Sequence, residues 1–226
     1  HLHLKLMPGA SEGAVEAAVR LADRVSINLE APNSARLARL SGTKEINQDL
    51  VAPLRRAAAV IRRLGRRVSM VTQFVVGGAG ESDAEILDST DRLYRDLGLA
   101  RSYFSAFRPI PDTPLDHLPA EDPRRQHRLY QADFLLRQYG FRRDEIPLDP
   151  AGNLSRSLDP KLAYARRHPD RFPLEVNRAD REQLLRVPGL GPKAVAAILG
   201  ARRSGRIREA GQLGRLGVDS ARALPW

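Results

Sequence analysis

A chain of 226 residues, 42% hydrophobic and 28% charged, can build the core of one large domain or of a medium domain plus a small one. It contains no cysteine, which excludes disulfides, zinc ribbons, thiol nucleophiles and any iron–sulfur cluster ligated by these residues. No apolar run approaches the ~18 residues of a membrane span, and no signal peptide is visible, so the expected setting is cytoplasmic. The formal charge is +10 and lies mostly in the C-terminal half, with 16 basic and 14 acidic residues in 1–120 against 21 and 13 in 121–226. Such a half suits a polyanion through counterion release. An Ala- and Arg-rich, Lys-poor chain from a GC-rich genome would show the same excess, so charge alone decides nothing.

The first residues, His1 to Leu6, alternate strictly, with Leu2, Leu4 and Leu6 on one face and His1, His3 and Lys5 on the other, the pattern of a strand. There is no initiating Met, and the chain reads as a piece of a longer protein. After the Met7–Ala10 turn, Ser11 is placed to cap a helix carrying Val15, Ala18, Val19 and Ala22. Residues 24–30 alternate again, Val25, Ile27 and Leu29 against Ser26, Asn28 and Glu30. A longer helix follows Asn47, with Leu50, Leu54, Ala57, Ala58, Ile61 and Leu64 on one stripe. A third strand over 68–76 ends in Gly77-Gly78-Ala79-Gly80. Ser82 and Glu85 form a capping box for a helix reaching Leu97. A fourth strand, 102–107, runs into Pro109, Pro111 and Pro114, and 121–140 form one more amphipathic helix.

Strand–helix alternation at this spacing predicts βαβ units and a parallel sheet. Strands buried on both faces of an open sheet are apolar throughout, whereas the first two place a polar residue at every second position. Those side chains suit the polar lumen of a (β/α) TIM-type barrel, incomplete here because four units cannot close eight strands. The expected organisation is a part-barrel over 1–140, a Pro-rich connector over 141–175 and a small all-α domain over 176–226.

In that last segment Asn177 is placed to cap a short helix containing Leu184 and Leu185, followed by Val187-Pro188-Gly189-Leu190-Gly191-Pro192-Lys193. Pro192 opens the next helix, where a missing N–H costs nothing. The glycines let the turn and the following helix start present their N–H groups together, an array that takes a phosphate oxygen, and Lys193 adds a charge. Contacts of this kind hold nucleic acid without reading bases. The stretch resembles the helix-hairpin-helix module, and Glu209–Leu224 resembles a degenerate second half of a tandem pair. Residues 174–226 carry 10 basic and 5 acidic side chains. The resemblance implies DNA phosphate contacts by Gly189, Leu190, Gly191 and Lys193, or a protein partner held by the same module.

The order Lys-Leu-Met-Pro-Gly, Ser-Ile-Asn-Leu-Glu-Ala-Pro, Gln-Phe-Val-Val-Gly-Gly-Ala-Gly-Glu and Phe-Arg-Pro-Ile-Pro-Asp-Thr-Pro, with this tail, resembles the radical S-adenosylmethionine (SAM) superfamily. More narrowly, it is similar to its DNA modification and repair members. The resemblance implies a part-barrel that binds SAM and a [4Fe-4S] cluster and makes a 5′-deoxyadenosyl radical. It assigns ribose contacts to Ser26, Asn28 and Glu30, a glycine-motif contact to Val76, Gly77, Gly78 and Glu81 with Val76 against adenine, and an adenine cradle to Phe107, Arg108 and Pro109. Phe74 stands where that motif has its first glycine. The cluster's C-x3-C-x2-C triad is absent, so the resemblance makes this chain the C-terminal part of the enzyme, inert alone, with no metal ligand of its own. Two competitors stand beside it: a non-enzymatic DNA-binding protein with a degenerate barrel, and a hydrolase or lyase using Glu30, His1 and His3, which lacks paired carboxylates.

Overall fold

The computed structural model describes residues 1–226 and divides them into two compact units, residues 1–130 with 150–153, and residues 131–149 with 154–226. The division falls inside a helix and differs from the expected boundaries at 140 and 175. The region read as a connector is largely folded into the second unit.

The first unit is α/β. Its four strands, β1 (His3–Lys5), β2 (Arg24–Ser26), β3 (Ser69–Val76) and β4 (Arg101–Ala106), form one parallel sheet in chain order. Helices make the crossovers: α1 (Glu12–Leu21), α2 (Ser34–Leu40), α3 (Ala52–Leu64) and α4 (Asp83–Leu97). Ser11 caps α1 and the Ser82/Glu85 box opens α4, both as the sequence predicts. α1 and α3 pack together through faces that bury Val15, Val19, Leu54 and Ala57. Helix α2, capped by Asn33, lies where no helix is expected, and a π-helical turn over Ile46–Val51 leads into α3.

Two features depart from regular strands. β2 is expected to run from 24 to 30, but its ladder stops at Ser26. The Thr72 hydroxyl donates to Ile27 O at 2.7 Å and accepts from Leu29 N–H at 3.1 Å, standing in for the lost backbone pairing. The ladder resumes at Glu30, whose N–H donates to Gln73 O and whose carbonyl accepts from Val75 N–H. In β1, Leu2 is exposed and only Leu6 of the expected apolar face is buried, because β1 is an edge.

The opposite edge is finished by side chains. The outward amides of β4 donate to Tyr94 Oη (from Ser102, 2.9 Å), Tyr130 Oη (from Phe104, 3.0 Å) and Gln126 Oε1 (from Ala106, 2.8 Å). An unpaired strand edge is a template for further strands, and three side chains occupy this one. Tyr130 also packs edge-on against Phe104, which stacks with Phe74.

Helix α5 (Pro123–Gln138) passes from the first unit into the second. The second unit contains α6 (Pro160–Arg167), α7 (Arg181–Arg186), α8 (Pro192–Ala201), α9 (Ala210–Arg215) and α10 (Ser220–Ala223). Its core gathers Leu184, Leu185, Leu190, Val195, Ile198 and Ile207. Tyr164 of α6 is fully buried between Phe141 and His168, and Arg171 donates to its hydroxyl at 2.6 Å. Asp180, not Asn177, caps α7. Asn177 instead pairs with both the N–H and the C=O of Ile207, as a neighbouring strand would. No helix of the chain is long and apolar enough to cross a membrane.

Replacing Thr72 by Val keeps the shape but orphans Leu29 N–H and Ile27 C=O. A loss of about 2–3 kcal/mol is expected in urea unfolding followed by circular dichroism, with Thr72→Ser retaining most of the stability.

Candidate functional site

Parallel sheets with helical crossovers bind ligands beyond the carboxyl ends of their strands. A cleft of about 660 Å³ lies there in the first unit, lined by Glu30, Val75, Ser105, Phe107, Arg108 and Gln126, with Leu37, Leu40 and Lys44 on the α2 side. Glu30 is the residue most shaped by its surroundings. It holds φ at +62°, and Ala31 N–H donates to Leu29 O at 2.7 Å across it, closing a three-residue turn of the strained hand. Non-glycine residues rarely adopt positive φ, and such strain gathers at functional sites. The bonds of Glu30 to Gln73 and Val75 on one side, and the Thr72 bridge on the other, impose the turn.

Of the residues assigned from sequence, Glu30, Phe107 and Arg108 line this cleft. Ser26 is buried and its hydroxyl pairs with His3 Nε2 at 2.9 Å, outside the cleft, so these two side chains meet each other and do not line the lumen expected of them. Asn28 and Pro109 are half-buried and do not line it. Val76 is fully buried, and its neighbour Val75 faces the cleft, because strand side chains alternate. His1 lies within 3.8 Å of Asp23, and neither it nor His3 lines the cleft.

The glycine-rich end of β3 packs against protein. A Cβ on Gly78 would lie 2.9 Å from the Phe107 ring and 3.0 Å from Leu40, so the missing side chain lets Phe107 pack closely on the loop. The Glu81 carboxylate accepts from Gly77 N–H at 2.6 Å and Ala79 N–H at 3.1 Å. Buried Arg125 from α5 closes the assembly, donating to Asp83 at 2.7 Å, Glu121 at 2.7 Å and the Glu81 carbonyl at 2.6 Å. On the outer side Arg36 forks onto Glu85 with two 3.0 Å bonds, and Arg39 donates to Ala79 O. The Arg36 guanidinium, aided by Ser82 N–H and Asn33, holds the Glu85 carboxyl down to about 2.

Sequence reasoning missed the α2 wall of the cleft. Asn33 followed by Leu37 and Leu40 was the available signal, a capping residue before a one-face apolar pair, but a helix of 7 residues leaves little periodicity to read.

The second unit carries the hairpin. Gly189 holds φ at +85°, and a Cβ there would lie 2.9 Å from the Asp219 carbonyl, so α10 packs directly on the turn. The Leu190 side chain is buried, and its N–H closes the turn on Val187 O. Gly191 caps α8 with no side-chain cap bond, leaving the first-turn amides available, and Lys193 is exposed beside them. The four assigned residues thus come together on one turn.

No group of three or more His, Asp or Glu side chains could hold a metal ion. With no cysteine in the chain, these residues do not fit a [4Fe-4S] cluster. The cleft brings together a carboxylate (Glu30), an aromatic ring (Phe107) and two cations (Lys44 and Arg108), donor types compatible with an adenosyl ligand that carries a carboxylate. No protein-family profile, curated protein or solved structure matches the chain.

Arg125→Met leaves the buried Glu81 and Asp83 carboxylates short of their counter-charge. It is expected to cost about 3–5 kcal/mol in thermal or urea unfolding, with Arg125→Lys intermediate. The Glu85 pair stabilises the fold above the ordinary carboxylate range and is lost as pH falls from about 4.5 toward 2. The Tm gap between wild type and Glu85→Gln is therefore widest near neutrality and closes toward pH 2.

Proposed function

We propose that the chain is the C-terminal part of a radical SAM enzyme of DNA modification or repair. In this reading the first unit is the last stretch of a (β/α) part-barrel that binds the adenosyl half of SAM, and the second is a helix-hairpin-helix domain that grips DNA phosphates. The observation that carries it is the convergence of Glu30, Phe107 and Arg108, assigned by resemblance from two separate strands, on one strand-end cleft with Glu30 in a strained turn. The contrast between edges supports the part-barrel. β4 is sealed by Tyr94, Tyr130 and Gln126, while β1 presents an edge without such covering, where further strands would pair. The hairpin's available amides and Lys193 support the phosphate grip.

In this reading Glu30 accepts the ribose hydroxyls, Phe107 covers the adenine, and Arg108 with Lys44 meets the methionine carboxylate. The radical chemistry would be supplied by SAM together with a cluster held by other residues than these. The cluster is not ligated by these residues, and they carry only binding and orientation. A cytoplasmic setting belongs to the same reading. The absence of cysteine and of any metal-holding group favours a second reading, a non-enzymatic DNA-binding protein whose barrel is a scaffold.

Calorimetric titration with SAM and with S-adenosylhomocysteine separates the two. The enzyme reading expects binding that Phe107→Ala and Glu30→Gln each weaken by roughly tenfold or more, a loss of about 1.4 kcal/mol or above. No binding of either ligand, with DNA affinity intact, sinks it in favour of the scaffold. For the tail, fluorescence anisotropy with duplex DNA is expected to show a log–log salt slope that Lys193→Ala reduces by about one. Gly191→Ala is expected to weaken binding with the fold intact, since its methyl would meet nothing closer than the Tyr139 hydroxyl at 3.6 Å.

A further inference from the structure

Only four of the 37 basic residues are lysines, and one of them, Lys161, is buried to 8% exposure at the start of α6. Buried lysines are rare without a paired carboxylate. The adjacent carboxylate, Asp159, is taken by Arg222 at 2.5 Å. The Lys161 Nζ donates instead to the Leu190 carbonyl at 2.5 Å and lies 4.6 Å from the centre of the Tyr139 ring. A cavity of about 430 Å³ surrounds this contact, bounded by Tyr139, Lys161, Arg222 and the Gly189–Gly191 turn. The chain's own hairpin is thus wired, at its apex, to the one lysine it buries.

The planar trans peptide gives that contact a consequence. The carbonyl of Leu190 and the N–H of Gly191 belong to one peptide unit and point in opposite directions. Fixing the carbonyl on Lys161 directs the Gly191 N–H away from Lys161. An ammonium on the carbonyl also polarises the peptide and strengthens the N–H as a donor.

We propose that Lys161 is a positioning residue for phosphate binding, orienting and polarising the Leu190–Gly191 peptide so that the Gly191 N–H takes a phosphodiester oxygen, and that loss of its proton loosens the grip. This rests on the helix-hairpin-helix reading above and adds its regulation. The surroundings make the proton labile near neutrality. Burial pushes the Lys161 ammonium down to about 7; Asp159 at the cap of its own helix pulls it back up, while Arg222 of α10 and Arg186 of α7 push it further down. Tyr139, just past the end of α5, presents its ring face. An arginine at this position would not titrate, and this chain places arginine almost everywhere else. A DNA phosphate bound at Gly191 adds negative charge nearby and raises the lysine's affinity for its proton, so binding and protonation are linked.

The test is duplex DNA affinity of the full chain by anisotropy from pH 6 to 8.5 at fixed ionic strength. Wild type is expected to lose roughly threefold to tenfold in affinity across that range, as linkage requires when a bound phosphate makes the lysine hold its proton up to about tenfold more tightly. Lys161→Met, nearly isosteric and apolar, is expected to show a profile clearly shallower than wild type. Lys161→Arg is expected to restore affinity at pH 8.5. Calorimetry of wild type at pH 7.5 in buffers of different ionisation enthalpy reports proton uptake on binding without any variant, which covers the case of a variant that does not fold. A flat wild-type profile with no proton uptake overturns the proposal, as does a Lys161→Met profile as steep as wild type. If Gly191→Ala and Lys193→Ala also leave DNA binding unchanged, the hairpin reading itself has failed. If those two weaken binding while the pH profile is flat, only the role of Lys161 has.

Discussion

A single buried cation holds the glycine-rich end of β3 in shape. Arg125 reaches three separate segments at once, through Asp83 at the start of α4, the Glu81 carbonyl in the loop, and Glu121 just before its own helix. Taking a guanidinium out of water is costly unless each of its donors is met, and here they are met by carboxylates and a carbonyl. The loop it fixes carries Glu81, whose carboxylate draws in the amides of Gly77 and Ala79, and the compacted loop leaves room for Phe107 against Gly78. The position of Phe107 on the cleft wall therefore depends, through Gly78, on electrostatics deep in the protein.

The same economy appears at the mouth of the cleft. Glu30 is held in a conformation its backbone disfavours because strand β2 has been interrupted and rejoined, with one hydroxyl bridging the gap. Pre-organisation of this sort costs stability in the free protein and reduces what must be ordered when a ligand arrives. In the helical unit the corresponding device is the hairpin, whose turn is pressed between α10 on one side and a buried lysine on the other.

Much of the architecture was legible from residues alone. Strict alternation in residues 1–6, the apolar β-branched run of 68–76 before its glycines, the Ser11 and Ser82 caps, and Pro192 at the head of α8 follow from local rules, and local rules decide those elements. The misses are tertiary in origin. Nothing in the run Val25 to Glu30 announces that the ladder is interrupted there and bridged by Thr72, more than forty residues away. Asn177 resembles a cap, yet Asp180 has the better geometry and frees Asn177 to bind Ile207. The cleft was legible in part. Glu30, Phe107 and Arg108 line the cleft, while Val76 is buried and its neighbour Val75 lines it, a shift of one residue that strand alternation turns into a change of face. Lys161 was read only as part of a proline-rich connector, because burial of a lone lysine depends entirely on which distant carbonyl it meets.

The two margins of the sheet are chemically unlike. Along β4, two tyrosines and a glutamine consume the amides that another strand would need, whereas β1 ends the sheet with its outer backbone uncommitted. Growth of this sheet is consequently one-directional. A further strand would find open backbone groups along β1 and none along β4 as long as that terminal trio is kept.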